Sequence, residues 1–205
     1  MKKMLTKTDI FATILTLCAV IPGFVVYNKL PEKVATHFNM TNEPDSYMPK
    51  LAAIVALPVF LAVMEIICCL ITSTDKRTEN NRKANTMVRF IIPVLAFVME
   101  GMIILYALEK LTNVGAVTGL LISVLLIVIG NYMPKTRQNS FLGIKTPRTL
   151  SDERIWDKTH RFAGFVWTIG GIVLLPVSLL GMYIPALILM TVIIMIPVVY
   201  SFVVK

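Results

Sequence analysis

"LAAIVALPVFLAVMEIICCLIT", residues 51–72, is an apolar stretch of the length that a helix needs to cross a membrane. An α-helix rises about 1.5 Å per residue, so about 20 apolar residues span a hydrocarbon core about 30 Å thick. Glu65 is the only charged residue in the stretch. The stretch therefore predicts a transmembrane helix.

The same pattern recurs along the chain, in apolar runs at residues 10–27, 88–108, 114–132, 162–180 and 184–203. The chain is 56% hydrophobic and only 16% charged, whereas a soluble domain carries about 25% charged residues. The runs do not alternate polar and apolar residues, as the strands of a transmembrane barrel would. The sequence therefore predicts an all-α integral membrane protein, a bundle of six transmembrane helices.

The basic residues predict the orientation of the bundle, because cytoplasmic loops retain Lys and Arg. If both termini are cytoplasmic, only four of the 20 Lys and Arg residues lie in extracytoplasmic segments: Lys29, Lys33, Lys50 and Lys110. The cytoplasmic segments then include Lys2, Lys3, Lys76 and Arg77. We therefore expect both termini to be cytoplasmic. This asymmetry also accounts for the net charge of +8, so no direct nucleic-acid binding is expected.

The spans and loops divide the chain into two regions joined by a linker. The first region is 1–72, with spans at 10–27 and 51–72 and an extracytoplasmic loop at 28–50. The linker is the cytoplasmic segment 73–87. The second region is 88–205, with spans at 88–108, 114–132, 162–180 and 184–203 and a cytoplasmic loop at 133–161.

The cytoplasmic loop runs into span 5 through "GIKTPRTLSDERIWDKTHRFAG", residues 143–164. A residue before proline is pushed to extended conformations, so Thr146 and Pro147 predict a turn. Ser151 is expected to cap the helix that follows, with Trp156 and His160 on one stripe of that helix. Residue types favour an interfacial anchor, with Trp at the lipid headgroups, over a partner-binding surface, and both interpretations stay open.

The extracytoplasmic loop contains "LPEKVATHFNMTNEPDSYMPK", residues 30–50. Pro31, Pro44 and Pro49 rule out a continuous helix. Alternating polar and aromatic residues predict a compact loop packed on its own side chains. The loop is either a structural cap over the bundle or a receptor surface that faces outwards.

Together these two passages resemble a known family. The extracytoplasmic passage, residues 30–50, is similar to the motif that opens the domain of unknown function DUF1648. The cytoplasmic passage, residues 143–164, is similar to the signature of the SdpI family. The SdpI family consists of bacterial immunity proteins against a secreted toxic peptide. The resemblance implies a multi-pass protein of the bacterial cell membrane that gives toxin resistance. It also implies two partners: a secreted peptide toxin (SdpC-like) and a cytoplasmic helix-turn-helix repressor (SdpR-like), whose sequestration at the membrane would transduce a signal.

The resemblance assigns site residues at both faces. On the toxin side they are Pro31, His37, Phe38, Asn39, Pro44, Asp45, Tyr47 and Lys50. In the cytoplasmic signature they are Gly143, Lys145, Thr146, Pro147, Thr149, Leu150, Trp156, Thr159, His160, Arg161 and Gly164. Two positions depart from the family pattern. Asn42 stands where the family has glycine, and asparagine tolerates a left-handed turn. Arg148 stands where the family has tryptophan.

Glu65 and Glu100 lie inside predicted spans. A charge at such depth costs at least ~2.5–3.5 kcal/mol, so intramembrane acids suggest a proton or ion role. The alternative is a protonated carboxyl that forms a hydrogen bond between helices. No third ionisable group is recognised that would complete a relay. A small-solute or ion transporter that uses these acids is therefore the runner-up function.

No catalytic function is expected. His37 and His160 fall on opposite membrane faces, and the motifs HExxH and GxSxG are missing from the sequence. The three cysteines, Cys18, Cys68 and Cys69, lie in predicted spans without CxxC spacing and are expected to pack. We expect no metal site and no cofactor.

Overall fold

A computed structural model describes residues 5–73 and 81–205 of the chain. Within these residues, six helical segments are long and apolar enough to cross a membrane. They are Lys7–Val25, Lys50–Thr72, Asn85–Ala107, Val114–Lys135, Glu153–Leu179 and Tyr183–Val203. The predicted multi-pass helical membrane protein is therefore confirmed. Lys2, Lys3, Lys76 and Arg77, which support the predicted orientation, lie outside the described residues, as do residues 74–80 of the linker 73–87.

The elements follow one another as α1 (Lys7–Leu17), α2 (Val20–Val25), β1 (Lys33–Phe38), β2 (Pro44–Pro49), α3 (Lys50–Ser73), α4 (Arg82–Ala107), α5 (Val114–Tyr132), α6 (Pro147–Ser151), α7 (Glu153–Leu179) and α8 (Tyr183–Val203). They form two compact units. The first unit comprises Met1–Thr74 with Asn85–Val114, and the second comprises Asp75–Ala84 with Gly115–Lys205.

The first span consists of two helices, α1 and α2, because Pro22 interrupts it. Proline has no N–H, so Pro22 cannot donate to the carbonyl of Cys18. That carbonyl accepts from the N–H of Ile21 instead, at 3.0 Å. The chain therefore leaves the regular helix at Leu17 and resumes it at Val20.

A two-stranded antiparallel hairpin forms where a compact loop was expected. Lys33 of β1 pairs with Pro49 of β2, and Val34 pairs with Met48. The Val34 side chain is 2% exposed and packs with Ile54 of α3 in the core of the first unit. The hairpin is thus part of the folded unit, an addition to the all-α architecture that the sequence predicted.

The second unit is built on helices that approach one another through glycines. A Cβ atom on Gly164 of α7 would lie 2.9 Å from the carbonyl oxygen of Gly130 of α5. A Cβ atom on Gly171 would lie 2.7 Å from the carbonyl oxygen of Ser123. Larger residues would separate α5 from α7, which is why membrane helices carry small residues where they cross closely.

Candidate functional site

The predicted cytoplasmic signature folds into a compact structure at the start of α7, which we call the signature module (residues 133–164). Thr146 adopts an extended conformation, as predicted for a residue before proline, and caps the short helix α6 reciprocally with Thr149. The prediction that Ser151 caps the long helix is wrong. Ser151 ends α6, and Asp152 caps α7 through a 2.8 Å bond from the N–H of Arg154.

Asp152 takes this place because its backbone is extended (φ −135°, ψ 119°), which separates the two helices. A short carboxylate in this conformation reaches the first free N–H groups of the next helix. The same N–H bond holds the pKa of the Asp152 carboxyl below its ordinary value. α7 then continues to Leu179, so a single helix carries the signature residues into the membrane span.

Trp156 and His160 form a buried aromatic pair at the centre of the module. Trp156 is 0% exposed and His160 is 1% exposed, and their rings stack with centroids 3.9 Å apart. The Trp156 indole N–H donates to the carbonyl of Thr136 at 2.7 Å. Trp156 therefore does not lie among lipid headgroups, and the interfacial-anchor interpretation of this residue is wrong.

The histidine joins the loop before α6 to α7. The N–H of Ile144 donates to His160 Nε2 at 3.1 Å, and His160 Nδ1 lies 2.8 Å from the carbonyl of Trp156. Nε2 must accept and Nδ1 must donate, so this geometry selects the neutral tautomer with its proton on Nδ1. His160 thus acts as a bridge between two backbone groups.

Gly143 makes this contact possible. Its φ is +115°, a backbone conformation that residues other than glycine rarely adopt. A Cβ atom there would overlap His160 Nε2 and lie 3.0 Å from the Trp156 ring. The signature glycine is therefore required both by its backbone conformation and by the aromatic pair packed against it.

Threonine and serine hydroxyls connect the module to α8. Thr149 is fully buried, accepts from the N–H of Thr146 at 2.8 Å and donates to the carbonyl of Ile144 at 2.8 Å. Ser201 of α8 donates to the Thr146 hydroxyl at 3.1 Å. Arg148, which departs from the family pattern, donates to the carbonyls of Phe202 and Val204 (the latter at 2.7 Å). The arginine thus satisfies carbonyls at the C-terminal end of α8.

The remaining signature residues divide by exposure. Lys145, Pro147, Leu150 and Arg161 are exposed. Thr159 is 0% exposed, and its hydroxyl has no hydrogen-bond partner among the described residues. The buried signature residues therefore build the module, and only the exposed ones can contact another molecule directly.

The predicted toxin-side residues lie on the hairpin. Irregular pairing between Ala35 and His37, and again between His37 and Phe38, brings His37 and Asp45 to the same side. His37 Nδ1 lies 2.5 Å from Asp45 Oδ1, and both side chains are exposed. Asn39 supports the turn, since its side-chain oxygen accepts from the N–H groups of Thr41 and Glu43, each at 2.9 Å.

Asn42 has a φ of 66°, so the expected left-handed turn at this position is confirmed. Its side chain donates to the carbonyl of Thr112 at 2.8 Å. Phe38 packs edge-on against Tyr106, with ring centroids 4.6 Å apart. At the base, Lys50 pairs with Glu32 at 2.9 Å. The motif residues thus hold the hairpin at its tip and at its base.

A polar cluster lies inside the first unit, formed by Asp9, Thr16, Glu65, Cys69 and Arg89. Glu65 is 1% exposed and accepts from the Thr16 hydroxyl at 2.7 Å. Asp9 lies 2.6 Å from Arg89 Nε, and the Cys69 thiol donates to Asp9 at 3.6 Å. Asp9 and Arg89 are thus two further ionisable groups in the cluster that contains Glu65; whether any of them completes a relay with Glu65 and Glu100 stays a prediction.

Glu100 is buried differently. Its side chain is 0% exposed, and neither carboxyl oxygen has a hydrogen-bond partner among the described residues. Glu65 thus lies in the polar cluster, whereas the Glu100 carboxyl has no hydrogen-bond partner among the described residues. Glu100 is therefore a buried carboxyl without a polar contact in the part of the chain that the structure describes.

Comparisons with known proteins match the segment that contains the signature module and the segment that contains the hairpin. The family model for the SdpI/YfhL protein family matches residues 135–203, and the model for a domain of unknown function (DUF1648) matches residues 14–62. The chain therefore carries an SdpI/YfhL family region behind a DUF1648 region. It is 26% identical over 172 residues to the immunity protein SdpI of Bacillus subtilis (strain 168), which covers 84% of this chain and 82% of that protein. No solved structure gives a significant match.

The matched ranges coincide with the two structural motifs described above. The SdpI/YfhL match includes α6, α7 and all of α8, with most of the signature module. The DUF1648 match includes the whole hairpin and the start of α3. The two sequence motifs therefore correspond to two separately built substructures.

Sequence reasoning missed several residues of these substructures. Asp9 was overlooked although Thr6 and Asp9 form a capping box ahead of an apolar run, a recognisable helix-start pattern. Tyr106 lies far from the hairpin in sequence, and no local pattern connects it to Phe38. Arg148 was noted only as a departure from the family, because its partners are backbone carbonyls near the chain's end.

Proposed function

We propose that this protein is an immunity protein of the bacterial cell membrane that protects its cell from a secreted antimicrobial peptide. The observation that carries the proposal is the similarity to the immunity protein SdpI along 84% of the chain. The hairpin and the signature module support it, because the residues that define both motifs take part in specific contacts. The proposal requires no catalytic step.

We also propose that both termini are cytoplasmic, as the distribution of Lys and Arg suggests. The hairpin would then face the outside, where a toxin arrives, and the signature module would face the cytoplasm. A toxin would meet the exposed hairpin residues His37, Asp45 and Tyr47 first. Single cysteines at Ser46 and Ser151, in a chain without its native cysteines, test this orientation with a membrane-impermeant maleimide. Intact cells should label only the cysteine at 46.

A survival assay tests the immunity function. A bacterium sensitive to an SdpC-like peptide is exposed to it with an empty vector, with this chain, or with Bacillus subtilis SdpI as the positive control. Membrane levels of the two proteins are matched. This chain should raise survival as SdpI does. Survival equal to the empty vector would contradict the proposal for that peptide and would bring the transporter function forward.

The exposed residues of the signature module suggest a second role, the recruitment of a cytoplasmic helix-turn-helix repressor of the SdpR type. Lys145 and Arg161 are exposed there, whereas Trp156 and His160 are not. Charge reversal at Lys145 and Arg161 should release a co-expressed repressor from the membrane fraction without lowering the amount of this protein. Unchanged recruitment would remove the signalling role.

A transporter for protons or small ions is the second candidate function. It is favoured by the buried carboxyl of Glu100 and by the polar cluster around Glu65, because ionisable groups inside membranes mark ion pathways. Proteoliposomes with an internal pH dye should then acidify faster than empty liposomes, and Glu65→Gln and Glu100→Gln should abolish the difference. Equal rates for protein-containing and empty liposomes would exclude proton transport.

A further inference from the structure

A cleft of about 380 Å³ lies between the hairpin and the end of α4, within the first unit. Its walls include Lys33, Ala35 and Tyr47 of the hairpin, and Tyr106, Glu109 and Thr112 on the opposite side. Small-ligand pockets have volumes of about 300–1,000 Å³, so the cleft has room for a short segment of a ligand. The residues of the opposite wall belong to neither sequence motif.

Contacts between the hairpin and the opposite wall fix the position of the two walls. At the hairpin tip, Asn42 donates to the carbonyl of Thr112, and the Phe38 ring packs against the Tyr106 ring. At the base, the N–H of Lys50 donates to the carbonyl of Glu32 at 3.0 Å. The cleft is therefore shaped by the fold itself and is present before any ligand binds, which lowers the cost of binding.

The chemistry of the walls suits a peptide. Lys33 and Glu109 are exposed residues of opposite charge, and neither forms an ion pair within residues 5–73 and 81–205. Tyr47 is 54% exposed, so much of its ring is available to a ligand. A purely anionic ligand would be repelled by Glu109 and a purely cationic one by Lys33. A peptide segment can supply a carboxylate for Lys33, an ammonium group for Glu109 and an apolar side chain for the tyrosine rings.

We propose that this cleft binds a short segment of the secreted peptide, with charged groups of the segment paired to Lys33 and Glu109 and an apolar side chain between Tyr47 and Tyr106. This inference rests on the proposed immunity function and adds the binding site to it. It assigns Lys33, Tyr106 and Glu109 to recognition, in addition to the motif residue Tyr47.

Charge reversal in the cleft tests this inference. The full-length protein is reconstituted in lipid nanodiscs, and binding of the fluorescently labelled SdpC-like peptide is followed by anisotropy. Lys33→Glu and Glu109→Lys should each raise Kd about tenfold or more, because each places a like charge against the peptide. Lys110→Glu is the matched control, since Lys110 neighbours Glu109 in the chain but does not line the cleft. It should leave Kd within about twofold, a small difference in binding free energy.

The outcomes separate the inference from the function on which it rests. If the wild-type protein binds the peptide and protects cells while Lys33→Glu and Glu109→Lys behave like wild type, the cleft is not the site and immunity stands. If Lys110→Glu weakens binding as much as the cleft variants do, general surface charge is responsible and the inference is overturned. If the wild-type protein neither binds nor protects, the immunity function fails and takes the inference with it.

Discussion

Replacing Trp156 by Phe should destabilise the protein although the aromatic ring is retained. The change removes the indole N–H that donates to the carbonyl of Thr136 at 2.7 Å. Thr136 is only 6% exposed, so its carbonyl would be left without a partner and largely shielded from water. An unsatisfied buried polar group costs about 1–3 kcal/mol. For a chain of this size that corresponds to a Tm lower by about 2–12 °C.

Trp167→Phe is the matched control. The Trp167 indole N–H is also buried but has no hydrogen-bond partner among the described residues. Its removal should therefore leave the Tm unchanged or slightly higher. Trp156→Ala, which also empties the space next to His160, should cost more, about 3–5 kcal/mol.

The assay is the amount of monodisperse protein that survives heating, measured by fluorescence-detected size exclusion on a fusion to green fluorescent protein. This readout does not depend on tryptophan emission, so the tryptophan variants can be compared directly. The structure predicts a clear Tm decrease for Trp156→Phe and none for Trp167→Phe. Equal Tm values for these two variants would refute the assigned role of the bond between Trp156 and Thr136.

Three further predictions use the same heating assay. Arg148→Ala should lower the free energy of unfolding by about 1–2 kcal/mol, because two carbonyls at the end of α8 lose their donor. Arg154 is exposed, so Arg154→Ala should change the stability little. Equal effects of the two variants would argue against the cap formed by Arg148. Asn42→Ala should destabilise more than Asn42→Gly by about 1 kcal/mol, because the φ of 66° penalises a Cβ without a compensating amide; the reverse order would contradict the turn. Asp9→Asn should lower the free energy of unfolding by about 3–5 kcal/mol because it breaks a buried ion pair. Glu65→Gln should change activity more than stability. A larger Tm loss for Glu65→Gln than for Asp9→Asn would make Glu65 a structural residue.

The membrane spans could be predicted because their signal is local and one-dimensional. The length and polarity of a run such as 51–72 can be read directly from the sequence. In lipid, such a run satisfies its backbone hydrogen bonds mainly by forming a helix. The turn at Thr146 and Pro147 was predictable for the same reason, since proline restricts its neighbour directly. Neither prediction required knowledge of what the segment contacts.

Features that depend on distant partners could not be predicted. Trp156 was expected at the lipid surface because of its residue type, yet the chain folds Gly143 and Thr136 over it. Ser151 and Asp152 are both good caps, and only the extended backbone at Asp152 decides between them. The prolines at 44 and 49 argued against a helix but did not specify strands, which depend on pairing with residues 33–38. Tertiary context decided each of these cases.

The measurement that tests the central claim most directly is survival under the secreted peptide for cells that carry the wild-type chain, the His37→Ala variant or no chain. His37 and Asp45 are exposed and paired across the hairpin, so the variant alters the hairpin surface with little loss of stability. Membrane levels are matched by immunoblot. The account predicts that the wild-type chain protects and that protection falls sharply with His37→Ala. Equal survival in all three strains would contradict the proposed immunity function, and equal protection by both chains would contradict toxin recognition at the hairpin.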